Sequence, residues 1–113
     1  MVSSFSFAIN GVFEFFRKER NAKIHLVAAV LVIVAGFYFH VNNIEWIFIV
    51  IMIMFVFVAE MVNSSMESLC NHLHPDRHEK IKLVKDLSAG AVLIASIAAV
   101  IVAAIIFLPK ILS

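Results

Sequence analysis

The chain has 113 residues, of which 63% are hydrophobic and only 15% charged, against about 25% charged in soluble domains; this excludes an ordinary water-soluble fold and points to a membrane protein. A formal net charge of +1 removes the electrostatic basis for a nucleic-acid partner, and a lone cysteine, Cys70, excludes an intrachain disulfide. One membrane-embedded domain covering 1–113 is the natural organisation at this length.

The start, Met1-Val2-Ser3-Ser4-Phe5, has no basic segment leading into a short apolar core and cleavage site, so no signal peptide is expected. Phe5, Ala8, Ile9, Val12 and Phe16 recur at helical spacing and predict a helix lying in the membrane interface. The competing account is a lead-in to the first membrane helix, because Phe13 and Phe15 blur the apolar stripe. Three apolar runs then follow, about 24–41, 46–66 and 87–109. Each has roughly the 20 residues that cross a bilayer core about 30 Å thick, and none alternates as a strand would, so an all-α protein with three transmembrane helices is predicted. Between the first two runs, Asn42, Asn43, Ile44 and Glu45 form a tight hairpin without a basic residue. After the second, Pro75 is expected to break the helix, and Asp76-Arg77-His78-Glu79 has the form of an N-terminal cap for a short amphiphilic helix leading to Asp86. Pro109 suits the stop of the third.

Every lysine and arginine except Lys110 flanks one membrane face: Arg17, Lys18, Arg20 and Lys23 before the first span, Arg77, Lys80, Lys82 and Lys85 between the second and third. By the positive-inside rule that face is cytoplasmic, with the N-terminus inside and the C-terminus outside. The third span is rich in small residues, among them Ala95, Ala99 and Ala103. Small residues let membrane helices approach closely, so this helix is expected at a bundle centre. Three helices alone hide a polar stripe poorly, which predicts a homo-oligomer.

Glu60, Asn63, Glu67 and Asn71 make that stripe: three, four and four residues apart, they fall within a sector of about 80° on an ideal helix. Counted from Trp46, Glu60 lies about 21 Å along the second span, inside the cytoplasmic half of the bilayer, with Glu67 near the surface. A carboxylate at that depth is a functional candidate by default; the alternative is a protonated side chain serving as helix-helix packing glue. Glu14 and Glu19 precede the first span and Lys85-Asp86 the third at the same level. Carboxylates converging with a lysine suit a magnesium–nucleotide complex, whereas the ordinary charged fringe of a membrane helix is the competing account for each of these four. The glycines, Gly11, Gly36 and Gly90, open no phosphate-binding loop. Cys70, His72, His74 and His78 match no zinc spacing and read as a solvated interfacial loop. These patterns give a charged, cytoplasm-facing site in a helical bundle; a small scaffold or an ion-conducting oligomer with Glu60 and Asn63 along a polar path meets the same description.

Glu60-Met61-Val62-Asn63-Ser64-Ser65-Met66-Glu67 resembles the E-x-x-N-[ST]-[AS]-x-E signature of the prokaryotic diacylglycerol kinase / undecaprenol kinase family, and Lys85-Asp86-Leu87-Ser88-Ala89-Gly90-Ala91-Val92 resembles its K-D-x-x-[AS]-[AG]-A-V segment. Glu19-Arg20-Asn21 with His25, Ile44-Glu45-Trp46 and Ile106-Phe107-Leu108-Pro109 extend the resemblance over about Phe5 to Pro109. It implies a homotrimer with shared active sites in the bacterial cytoplasmic membrane that phosphorylates a lipid alcohol with ATP and Mg²⁺. On the family pattern Glu19 and Glu67 bind the metal and with it the nucleotide, Asn63 and Lys85 contact the phosphates, Asp86 helps hold the nucleotide, and Glu60 is the catalytic base. Glu14 has no clear family role. The chain departs at Asn71, where the family usually has aspartate, at Ser64-Ser65-Met66, where Thr-Ala-Ile is common, and in starting late, so that a basic N-terminal nucleotide contact of longer members is expected to be missing. The Glu-Arg-Asn, Glu-Trp and His74-Pro75 features are more similar to the Gram-positive branch, which mostly phosphorylates undecaprenol; the other branch phosphorylates diacylglycerol.

Overall fold

The computed structural model describes residues 2–73 and 79–113. These residues form four helices and no strand: α1 (Val2–Lys18), α2 (Arg20–Tyr38), α3 (Asn43–Leu73) and α4 (Glu79–Leu112). The last three are long and apolar enough to cross a membrane. The expected break at Pro75 and cap at Asp76 lie outside the described residues, as do His74, Arg77 and His78.

α1 is a helix of its own, and not a lead-in continuous with α2. Glu19, at φ −88° and ψ 124°, is extended and separates the two. The end of α1 is anchored by Phe15, which is buried, and by Phe16, whose ring meets Phe57 of α3 edge-on at 5.1 Å. Phe5, Phe7, Ile9 and Phe13 remain exposed.

The turn between α2 and α3 is tighter and earlier than the hairpin expected at 42–45. His40 adopts φ 55°, and the bonds from Val41 N–H to Gly36 O (3.1 Å) and from His40 N–H to Phe37 O (3.3 Å) close α2 as a Schellman motif. α3 then begins at once. Asn42 Oδ1 accepts from the Glu45 N–H (2.9 Å) while Glu45 Oε1 accepts from the Asn42 N–H (3.0 Å). This reciprocal capping box satisfies two otherwise orphan donors and draws Asn43, Ile44 and Glu45 into the helix. Gly36 is required by the same corner, since a Cβ there would stand 2.6 Å from the Trp46 ring.

α3 is the helix that packs against both α2 and α4, and its principal partner is α4. The core lies toward the turn, where Val41, Ile49, Ile106 and Phe107 are buried together. From the small-residue stripe of α4, Ala95 is fully buried. Pro109 does not stop α4, which continues to Leu112. A proline deletes one N–H bond, to the carbonyl four residues back, and the helix here accommodates that single loss. Lys110 Nζ reinforces this last turn by donating to Ile106 O (3.1 Å) and to Glu45 Oε2 (2.7 Å).

At 31 and 34 residues, α3 and α4 rise about 46 and 51 Å, more than a bilayer core about 30 Å thick. With Trp46 and Lys110 at one membrane surface, both helices project beyond the other. The expected amphiphilic helix before the third span is therefore the first turns of α4 itself, carrying Lys80, Lys82 and Lys85.

Candidate functional site

The polar stripe of α3 is met by polar residues of α2 and α4. Glu60 is only 2% exposed, a burial that demands partners in an apolar bundle. Both come from α2: Asn21 Nδ2 donates to Glu60 Oε1 at 3.3 Å, and His25 Nε2 lies 3.4 Å from Glu60 Oε2. Asn21 and His25 are four residues apart and share a helix face, so one carboxylate oxygen meets each. One turn further along α3, Asn63 is 8% exposed. The Ser88 hydroxyl of α4 donates to Asn63 Oδ1 at 2.8 Å, with the Lys85 carbonyl 3.1 Å away as a second acceptor. With Oδ1 taken, the Asn63 amide keeps its two N–H donors. Lys85 in turn donates to Asn71 Oδ1 at 2.9 Å. Asn71 thus keeps an acceptor for Lys85 where the family pattern has aspartate, but without neutralising the lysine's charge.

Other expected residues are placed differently. Asp86 is exposed and forms an i,i+4 pair with Lys82 at 2.6 Å; adjacent positions on a helix point about 100° apart, so Lys85 and Asp86 do not aim at one spot. Glu14 is held by Lys18 (2.9 Å) and Arg17 (3.3 Å) on its own helix, which keep its carboxyl below the ordinary range, Lys18 most of all. An exposed pair of this kind contributes little stability. Glu14 therefore belongs to the charged fringe. Of the cysteine and histidines weighed for zinc, Cys70 is buried, His72 is exposed, and the other two lie outside the described residues.

Glu19 and Glu67 hold no side-chain hydrogen bond or ion pair among the described residues. Glu67 lies seven residues beyond Glu60, about 10 Å along α3, and Glu19 stands at the start of α2 two residues before Asn21. Both carboxylates consequently flank the same end of the Glu60 site. They are hard oxygen donors without a protein partner, which fits a divalent cation, although no three His, Cys, Asp or Glu side chains cluster among the described residues.

Below Glu60 opens a cleft of about 120 Å³ between α2, α3 and α4, lined by His25, Ala29, Ile49, Ile53, Phe57 and Val102 among others. His25 is its only polar wall. Asn21, His25 and Ser88 stood in the family motifs but carried no assigned role. The available signal was the i,i+4 spacing of Asn21 and His25, which puts two polar side chains on one face at the start of an apolar span, where lipid leaves them in need of a partner.

Residues 6–107 match the family model for prokaryotic diacylglycerol kinase. The chain belongs to this family. It is 36% identical to the undecaprenol kinase of Bacillus subtilis over 95% of its own length and 87% of that protein's. It is 37% identical to the diacylglycerol kinase of Synechocystis, across its whole length and 65% of that protein's, and 33% identical to that of Escherichia coli over 66% of the chain and 62% of that protein. As a family member the chain is a lipid kinase, a multi-pass bacterial membrane protein, with Glu60 and Asn63 in the buried part of its polar stripe.

Proposed function

We propose that this lipid kinase transfers the γ-phosphoryl group of ATP to undecaprenol at the cytoplasmic membrane interface, with Glu60 as the proton acceptor. The observation that carries the reading is the burial of Glu60 against His25, which lines an apolar cleft, two turns below Glu67, a carboxylate without a side-chain partner among the described residues. A lipid alcohol brings its hydroxyl to that level while its hydrocarbon stays in the bilayer. The hydroxyl oxygen bonds to the γ-phosphorus as the bond from phosphorus to the β–γ bridging oxygen breaks. ADP leaves, and the hydroxyl proton passes to the Glu60 carboxylate.

Such a transfer depends on positioning and charge neutralisation more than on covalent help. Asn63 offers its N–H donors, and Lys85 its ammonium, to phosphate oxygens. Asp86 would assist at the nucleotide only by leaving Lys82. Glu19 and Glu67 would hold Mg²⁺, whose charge, when bound, neutralises phosphate oxygens.

The N-terminus, the C-terminal end of α3 and the lysine-rich start of α4 lie inside the cell in this reading, with Lys110 outside, and α1 rests on the interface by its phenylalanines. A reporter active only outside the cytoplasm, joined after Ser113, is expected to be active; silence there with activity from a fusion at Lys80 reverses the orientation and denies ATP the site.

The Bacillus relative favours undecaprenol and the Synechocystis relative favours diacylglycerol. Competition between the two lipids at equal mole fraction, with the products separated, tests the choice. Preference for undecaprenol is expected; preference for diacylglycerol moves the chain to the second reading.

A further inference from the structure

We infer that His25 is a positioning residue for Glu60, holding the oxygen that takes the acceptor's proton and closing the cleft end where the lipid hydroxyl arrives. The inference rests on the lipid-kinase reading above and adds a specific residue to it.

The two oxygens of Glu60 are not equivalent. Oε1 is bonded by Asn21 at 3.3 Å, whereas Oε2 faces His25 at 3.4 Å, and the His25 side chain is 27% exposed. His25 alone among the partners of Glu60 also lines the apolar cleft, so Oε2 is the oxygen nearest to anything entering from the bilayer. The approach of His25 at 3.4 Å, like that of Asn21 at 3.3 Å, is longer than the usual hydrogen bond, and contacts of catalytic groups often tighten only when substrate arrives. With its Nε2–H turned to Oε2, the imidazole fixes the carboxylate rotamer. Its flat ring meanwhile packs against the hydrocarbon that fills the cleft. Asn21 cannot replace it, being one turn nearer to the membrane surface and bound to the other oxygen.

The test uses the full-length purified protein in a lipid mimic, with ATP and lipid alcohol, comparing His25→Gln, His25→Met and the same changes on Glu60→Gln. Gln keeps an N–H at the reach of Nε2; Met keeps the bulk and loses the donor. His25→Met is expected to lower kcat by about tenfold, the effect of one lost hydrogen bond to a charged group, with the KM for ATP unchanged. His25→Gln should recover most of that loss. On the Glu60→Gln background, His25→Met should cost little more, because the two residues act as a unit. Should His25→Met fail to assemble, His25→Asn, whose N–H falls short of Oε2, takes its place beside His25→Gln with the same expectation. Normal kcat without the donor, equal losses with Gln and Met, or losses that add fully to Glu60→Gln each overturn the role of His25. Absence of lipid phosphorylation by the unaltered protein instead overturns the lipid-kinase reading, and the two failures are thereby told apart.

Discussion

Glu60 and Glu67 share one face of α3 and differ in everything that governs their chemistry. Glu60 is buried and touched by Asn21 and His25, while Glu67 is exposed and has no side-chain partner among the described residues. Glu60→Gln should therefore slow phosphoryl transfer with little change in nucleotide affinity, the pattern of an interaction made mainly in the transition state. The loss is expected at about 10- to 100-fold, toward or below the low end for general-base removal, because a loose transition state asks little activation of the nucleophile. Glu67→Gln should raise the Mg²⁺ requirement and weaken nucleotide binding by about tenfold or more, the value of one charged contact. Nucleotide binding and single-turnover transfer, measured for both variants in one membrane mimic, separate the two roles. A correctly assembled Glu60→Gln protein with normal turnover would leave Glu60 as packing glue. The stripe holding both residues was legible because spacing of three and four is a helix's own arithmetic. Its partners were not, since which face of α2 meets α3 depends on the angle set by the turn, and that angle is not written in either helix alone.

At the scale of elements, the three membrane helices were legible from their apolar runs, but their ends were set by local hydrogen bonds that hydropathy does not register. Asn42 and Glu45 are the clearest case: their reciprocal bonds start α3 before the apolar run begins, and the N-x-x-E spacing was there to be read as a capping box. Pro109 was overread as a stop: proline removes the N–H bond to the carbonyl four residues back and crowds that preceding turn, but the residues after it can stay helical, as Lys110 to Leu112 do. The Schellman corner offers a direct check of the turn geometry. His40 occupies the left-handed position that glycine fills without strain. His40→Gly is expected to stabilise the folded protein by about 0.5–1 kcal/mol, after allowing for the added freedom of glycine in the unfolded chain. Thermal unfolding in detergent reads it as a rise in Tm of a few degrees. A fall would mean that His40 contributes contacts that outweigh its backbone strain.

For the whole molecule, the surface is dominated by exposed apolar side chains: Leu93, Ile94, Val100 and Ile105 on α4, Val27, Leu31 and Val34 on α2, and the phenylalanines of α1. Lipid covers part of this surface. The alanines and glycine among these residues on α4 suit close approach by another helix; the homotrimer that the family resemblance implies, with Glu19 and Glu67 of different subunits completing one site, is our proposal for what uses that face. Co-assembling a Glu19→Gln chain with a Glu67→Gln chain should then restore part of the activity that each lacks alone, whereas mixed assemblies that fold and stay inactive would place both carboxylates of a site in one chain. The charge distribution, burial and family membership meet in one claim, that a lipid hydroxyl receives phosphate beside Glu60. The measurement closest to it is transfer of label from γ-labelled ATP to lipid by the purified protein, with and without added lipid alcohol. Labelled lipid phosphate that forms only when the alcohol is present, and falls in the Glu60→Gln protein, is the expected result; ATP turnover independent of the alcohol, or none under conditions in which the protein is folded, would contradict it.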